Sequence, residues 1–176
     1  MLTLDRRIEL TNRLCYLFVI FLVGCLTGWI YEEIFYWYTE GMLRNRGILY
    51  GPWLPIYGVG ALGIYAMKNP AVLFLLSAGI TGVVEYIIGW IAIRCFGMRL
   101  WDYRGLFGNI SGIICFRSVV SFALLGLVFH YLIEPSTERV MGRLSRRAVY
   151  GGCAMLAVLL LTDCILSALY RTPITY

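Results

Sequence analysis

The stretch AVLFLLSAGITGVVEYIIGWIAI, Ala71 to Ile93, decides the fold. Glu85 is its only charge, and it exceeds the ~20 residues with which an α-helix crosses a hydrocarbon core of ~30 Å. A helix on the surface of a soluble protein has an apolar stripe and a polar face. This one is apolar all round, so it belongs in lipid. Similar runs occur at Leu14–Tyr38, Ser111–Ile133 and Val149–Tyr170. Another, Pro52–Met67, is shorter and broken by Pro55, Gly58, Gly60 and Gly63. It reads as a tilted span or a re-entrant hairpin, and the span is favoured. The expected architecture is all-α: a polytopic transmembrane helix bundle of about five spans with glycine-rich irregular loops.

Composition agrees. Of the 176 residues, 60% are hydrophobic, against roughly 45–50% in soluble domains. A soluble domain of this size could not bury the surplus. The net charge of +5 comes from arginine, since Lys68 is the only lysine. Most arginines lie between apolar runs, at headgroup level, and form no nucleic-acid patch. Cys15, Cys25, Cys95, Cys115, Cys153 and Cys164 form no CxxC and read as small, reduced packing residues. His130 has no ligand-type neighbour at metal spacing, so neither a metal nor a cofactor is expected. Arg6, Arg7 and Arg13 imitate a signal peptide, and Leu22-Val23-Gly24-Cys25 a lipoprotein box. The run stays apolar to Trp37, however, so it is read as a retained helix.

Residues 1–176 form one integral membrane domain, with the last span at 149–170. The segment 134–148 is basic and amphipathic: Val140, Met141 and Leu144 share one face, and Arg139, Arg143, Arg146 and Arg147 another. It is expected to lie on the cytoplasmic surface. Five crossings put Arg6, Arg7, Arg13, Lys68 and those four arginines on one side, and Arg44, Arg46, Arg94, Arg99, Arg104 and Arg171 on the other. The small bias favours a cytoplasmic N-terminus. Gly24 and Gly28, and Gly79, Gly82 and Gly89 on the third span, mark expected close helix contacts.

Charges inside the spans point to function. Glu32, Glu85, Arg117 and Asp163 each cost ~2.5–3.5 kcal/mol or more at mid-membrane without a partner or a watery cavity. Counted along alternating spans, all four fall in the same half of the bilayer. The functional reading is a polar pocket in which Glu32 or Glu85 neutralises Arg117. The plain reading is a structural ion pair with snorkelling neighbours. Glu33 points about 100° away from Glu32 and belongs to the plain reading. Two loops open toward the same half: Asn45-Arg46-Gly47 through Pro52 into Pro55-Ile56-Tyr57-Gly58, and Trp101-Asp102-Tyr103-Arg104 through Asn109 and Gly112. Irregular backbone at this depth must be covered by protein or line a cavity. Glu32, Arg46, Tyr57, Glu85, Trp101, Asp102, Asn109 and Arg117 are therefore the candidate ligand-binding residues.

These motifs in order carry a resemblance: Gly28-Trp29-x-Tyr31-Glu32, Asn45-Arg46-Gly47-x-Leu49-Tyr50-Gly51-Pro52, Pro55-Ile56-Tyr57-Gly58-x-Gly60, Glu85-Tyr86, Trp101-Asp102-Tyr103 and Asn109-x-x-Gly112. From about residue 18 to 132 the chain resembles the bacterial family of putative ABC-transporter type IV proteins. It departs at Arg104-Gly105-Leu106-Phe107, where a small polar residue and a proline are expected. The resemblance implies a permease-like component of the bacterial cytoplasmic membrane. No Gly-Lys-Ser/Thr phosphate loop occurs in the chain, so an ABC role requires a separate ATPase subunit. Five short spans favour a homo-oligomer or a partner, and membrane lipid is the expected surround. The leading expectation is a permease-like component that binds a small or amphiphilic solute. The alternatives are an enzyme acting on a lipid-linked substrate, with Asp102 or Glu85 as base, and a non-catalytic assembly or sensor protein.

Overall fold

The structure, a computed structural model, describes residues 4–43, 47–65, 67 and 69–170. Its elements are α1 (Leu4–Glu40), α2 (Pro55–Ile64), α3 (Pro70–Phe96), α4 (Phe116–Val128), a π turn (Phe129–Ile133), α5 (Glu134–Arg143) and α6 (Arg146–Tyr170). Thr11–Tyr38, Pro70–Phe96, Phe116–Arg143 and Arg146–Tyr170 are each long and apolar enough to cross a membrane. The chain is an all-α, multi-pass membrane protein.

Local chemistry sets the helix ends. Asn69 caps α3, accepting from the N–H groups of Ala71 (3.0 Å) and Val72 (3.2 Å), and Pro70 takes the first helical position, where no N–H is needed. Gly97 ends α3 in the left-handed region at φ +65°. Cys115 and Ser118 cap α4 reciprocally.

The broken second segment resolves into two halves. Helix α2 has 10 residues and is therefore about 15 Å long, half the hydrocarbon core. The other half is irregular backbone. The Leu54 N–H donates to the Cys25 carbonyl, midway along α1, at 3.3 Å. Residues 47–54 thus return from the C-terminal end of α1 to its middle before α2 begins. Helix α2 then runs antiparallel to α1, setting Tyr57 against Gly28 and Ala61 against Gly24. Side chains at these glycines would not fit: a Cβ on Gly24 would lie 2.7 Å from that of Ala61, and one on Gly28 would overlap the Tyr57 ring. Gly89 is as tightly packed against Ile113, and Gly82 lies at ordinary contact distance from Val119. Gly79, by contrast, faces open space because its side of α3 is turned outward.

Beneath this packing, Ile20, Ala61, Ile64, Leu73 and Phe129 form the buried core. Pro135 has no N–H to offer Tyr131, and the π turn immediately before it absorbs the interruption. The basic segment is helical, but it does not form a separate surface helix. It continues α4 as α5, and only Leu144 and Ser145 separate it from α6. Helix α6 runs parallel to α1, with Tyr150 donating to Asn12 Oδ1 (2.7 Å) and Cys153 Sγ reaching the Cys15 carbonyl (3.8 Å). The six thiols are free.

Candidate functional site

The two irregular loops converge on one cavity of about 180 Å3. Gly47, Ile48 and Leu54 line it from the first loop, and Leu100, Trp101 and Tyr103 from the second. Between them stand Glu32 of α1, Tyr57 of α2, Glu85 of α3 and Phe122 of α4. The walls are mostly apolar and aromatic.

Two tyrosine–glutamate pairs organise the interior. The Tyr57 hydroxyl donates to Glu32 Oε1 at 2.6 Å, and the Tyr103 hydroxyl donates to Glu85 Oε1 at 2.9 Å. Glu85 is only 2% exposed, and its second oxygen, Oε2, has no hydrogen-bond partner. Ser118 lies beside it, but its hydroxyl is committed to the Cys115 backbone, donating to the carbonyl at 2.9 Å and accepting from the N–H at 3.1 Å. The Trp101 indole N–H donates to the Ile113 carbonyl at 2.6 Å, which fixes the ring where Gly89 leaves room for it. The Tyr57 ring meets Phe122 edge-on at 5.1 Å.

The remaining sequence candidates fall elsewhere. Arg117 is exposed in the first turn of α4, its guanidinium 5.0 Å over the Phe35 ring. No salt bridge joins it to Glu32 or Glu85 among the described residues, so the expected neutralising pair does not form. The residue of α4 that faces Glu85 is Ser118, and Arg117 projects about 100° away from it around the helix. Arg117 and Glu32 do share a smaller pocket walled by Tyr31, Phe35 and Tyr103.

Asp102 points away from the cavity and binds Arg104, accepting from its backbone N–H and side-chain Nε, both at 2.9 Å, with Arg99 at 3.8 Å. The hydrogen bonds from Arg104 hold its carboxyl down at about 2. Asn109 braces the second loop, donating to the Leu106 carbonyl (2.9 Å) and accepting from the Gly112 N–H (3.3 Å). Arg46 lies outside the described residues, next to the lining residue Gly47.

Asp163, set aside from the sequence candidates, has a definite task. Its carboxylate accepts from the N–H groups of Tyr50 (2.9 Å) and Gly51 (2.8 Å) and from the Ser167 hydroxyl (3.0 Å). The last helix thereby holds the sunken loop in place. Tyr103 was legible only as part of the Trp101-Asp102-Tyr103 motif, and nothing in the sequence links Asp163 to residues more than a hundred positions away.

Residues 19–168 match a family described as putative ABC-transporter type IV. The chain belongs to that family. The match runs beyond residue 132, the limit of the resemblance traced from the motifs, and takes in α6 with Asp163 and Ser167. No curated protein and no solved structure matches the chain. With its membrane-crossing helices, the family makes this protein an ABC-transporter-like membrane component. Among the described residues no cluster of three or more metal-ligating side chains occurs.

Proposed function

We propose that this chain is the permease-like subunit of a transporter in the bacterial cytoplasmic membrane. It binds a small or amphiphilic solute in the cavity among α1–α4, within one half of the bilayer. The observation that carries this reading is the Glu85 carboxylate, buried at the cavity wall with Oε2 unpaired. A buried carboxyl oxygen without a hydrogen-bond partner is costly, and a bound ligand would remove that cost. The chain lacks a phosphate loop, so a separate ATPase subunit supplies the energy. The basic end of the bundle, with Arg139, Arg143, Arg146 and Arg147 exposed beside the N-terminal end of α1, favours a cytoplasmic N-terminus. Most of α6 is left for lipid or for a second copy of the chain.

The enzyme reading loses its first base. Asp102 is held acidic by its arginine and lies outside the cavity. Glu85 remains, but no Ser/His/Asp set accompanies it.

Native mass spectrometry of the protein, gently purified in detergent, tests the proposal. Wild type should carry a bound solute or lipid that is lost in Glu85→Gln, while the variant keeps its helical circular dichroism. A folded wild type that repeatedly shows an empty cavity, and no stabilisation by any solute, would overturn the transport reading.

A further inference from the structure

We infer that the groove between α5 and α6 holds an anionic glycerophospholipid, with an acyl chain between the helices and the phosphate on the arginines at their turn. The groove has a volume of about 540 Å3 and shares no lining residue with the cavity among α1–α4. Val140 and Leu144 belong to one wall, Gly152 and Leu156 to the other, and α1 contributes Val19 and Val23. Its hydroxyls and thiol are already bonded within the protein. Ser136 donates to the Leu132 carbonyl (2.6 Å), Thr137 to that of Ile133 (2.9 Å) and Cys153 to that of Cys15 (3.8 Å). The walls therefore offer an occupant apolar surface and ask for no polar partner. They run about 12 Å along α6, from Ala148 to Leu156, and about 18 Å from Leu132 to Leu144. One leaflet's hydrocarbon is ~15 Å deep, so the groove suits an acyl chain in length.

The charge lies at one end of this groove. Arg143 stands seven residues after Ser136, and Arg146 seven before Cys153, so each shares a helix face, to within about 20°, with a lining residue. Only Leu144 and Ser145 separate these two arginines. Arg139 and Arg147 flank them; all four are exposed, and among the described residues none has an ion pair. Of the acids on α5, Glu134 is bound to His130 (2.9 Å), which leaves Glu138 against four arginines. Residues 1–13, at the same end, bring Asp5 and Glu9 against Arg6, Arg7 and Arg13, so by sequence they add no negative excess. A phosphodiester at headgroup level supplies the counter-charge, and arginine binds such a group through paired N–H donors. A zwitterionic lipid carries its own ammonium and gains less. A second copy docked about a two-fold axis would set the same arginines against each other.

Native mass spectrometry of the full chain, titrated with phosphatidylglycerol and phosphatidylcholine of the same acyl chains, tests this. Phosphatidylglycerol is expected to bind at least roughly tenfold more tightly. Gly152 lines the groove, and a Cβ there meets no atom within 4 Å, so Gly152→Leu fills the space without a clash. It should remove most of the binding, while Gly151→Leu, next along the helix but outside the lining, should not. Arg143→Gln combined with Arg146→Gln should abolish the preference over phosphatidylcholine. Arg94→Gln, exposed in the last turn of α3, should leave it unchanged. A phosphatidylglycerol with a photoactivatable acyl chain should label residues 132–144 and 148–156. Absence of binding, equal binding of the two lipids, or full binding to Gly152→Leu would overturn the inference. Competition by glycerol phosphate as effective as by the lipid would overturn it in favour of a soluble anion. A wild-type dimer that Gly152→Leu converts to a monomer would give the groove to a second copy and overturn it as well. If a variant does not fold, the lipid comparison and the labelling on wild type decide. A lipid kept by Glu85→Gln and lost from Gly152→Leu belongs to the groove, so this test and that of the solute cavity are read separately.

Discussion

Asp163 sits about two-thirds of the way along the apolar helix α6, where an isolated carboxylate would be unfavourable by a few kcal/mol. Two backbone N–H groups and a serine hydroxyl remove that cost and tie α6 to residues 50 and 51. Asp163→Ala takes the carboxylate from both N–H groups: Gly51 loses its acceptor, while Tyr50 keeps the Ser167 hydroxyl at 3.1 Å. The expected loss is about 1–3 kcal/mol for each group left unsatisfied, read as a lower melting temperature together with faster proteolysis between residues 47 and 54. Asp102 gives the second prediction at this scale. Its folded carboxyl is depressed from 3.8 to about 2, so the stability from its arginine pair is complete above about pH 4. It is lost as the pH falls through about 2. Pepsin, active across that range, should cut the 101–106 loop increasingly below pH 4, and Asp102→Asn should be cut readily throughout. A loop equally resistant at both ends of the range would remove the ion pair from its support.

Helix α2 shows how an element shorter than the membrane is accommodated. Pro52 and Pro55 prevent a helix from extending back through residues 47–54, so half of the crossing is made by loop. Gly24 and Gly28 accept α2 closely enough that the Tyr57 ring occupies the space of the absent Gly28 side chain. Tyr57 in turn holds Glu32. Gly28→Ala should therefore displace Tyr57 from Glu32 and deform the cavity, with an overpacking cost of about 1–3 kcal/mol. Gly79→Ala, on the open face of α3, is its control and should leave stability and ligand binding close to wild type.

At the scale of the molecule, α1, α3 and α6 run one way, while α2 and α4–α5 run the other. Two contacts with the same offset, Tyr150 to Asn12 and Cys153 to Cys15, make α6 parallel to α1. Four helices are long enough to cross, and the alternation of directions is that of five passages, one of them through loop and half-helix. Reporter fusions before α1 and after α6 should lie on opposite sides of the membrane. Finding both on the same side would mean that residues 47–67 enter and leave by one face. The same alternation gathers Glu32, Glu85, Arg117 and Asp163 toward one end, although only the two glutamates reach the larger cavity.

What the sequence determined by itself was the solvent, the class of fold and the end of the bundle toward which the charges lie. Hydrophobic length and the 1.5 Å rise of a helix are properties of the chain taken one segment at a time. The family, too, was legible as ordered motifs, although its reach into α6 was not. Only the tertiary structure decided which partner each polar group has. Whether Arg117 meets Glu85 or Phe35 depends on the rotation of α4, and one residue's step of about 100° separates the two outcomes. Whether Asp163 is a pocket residue or a clamp depends on the path of residues 47–54. Local sequence could not set that path, because the hydrogen bonds that fix it come from α1 and α6, far away in the chain.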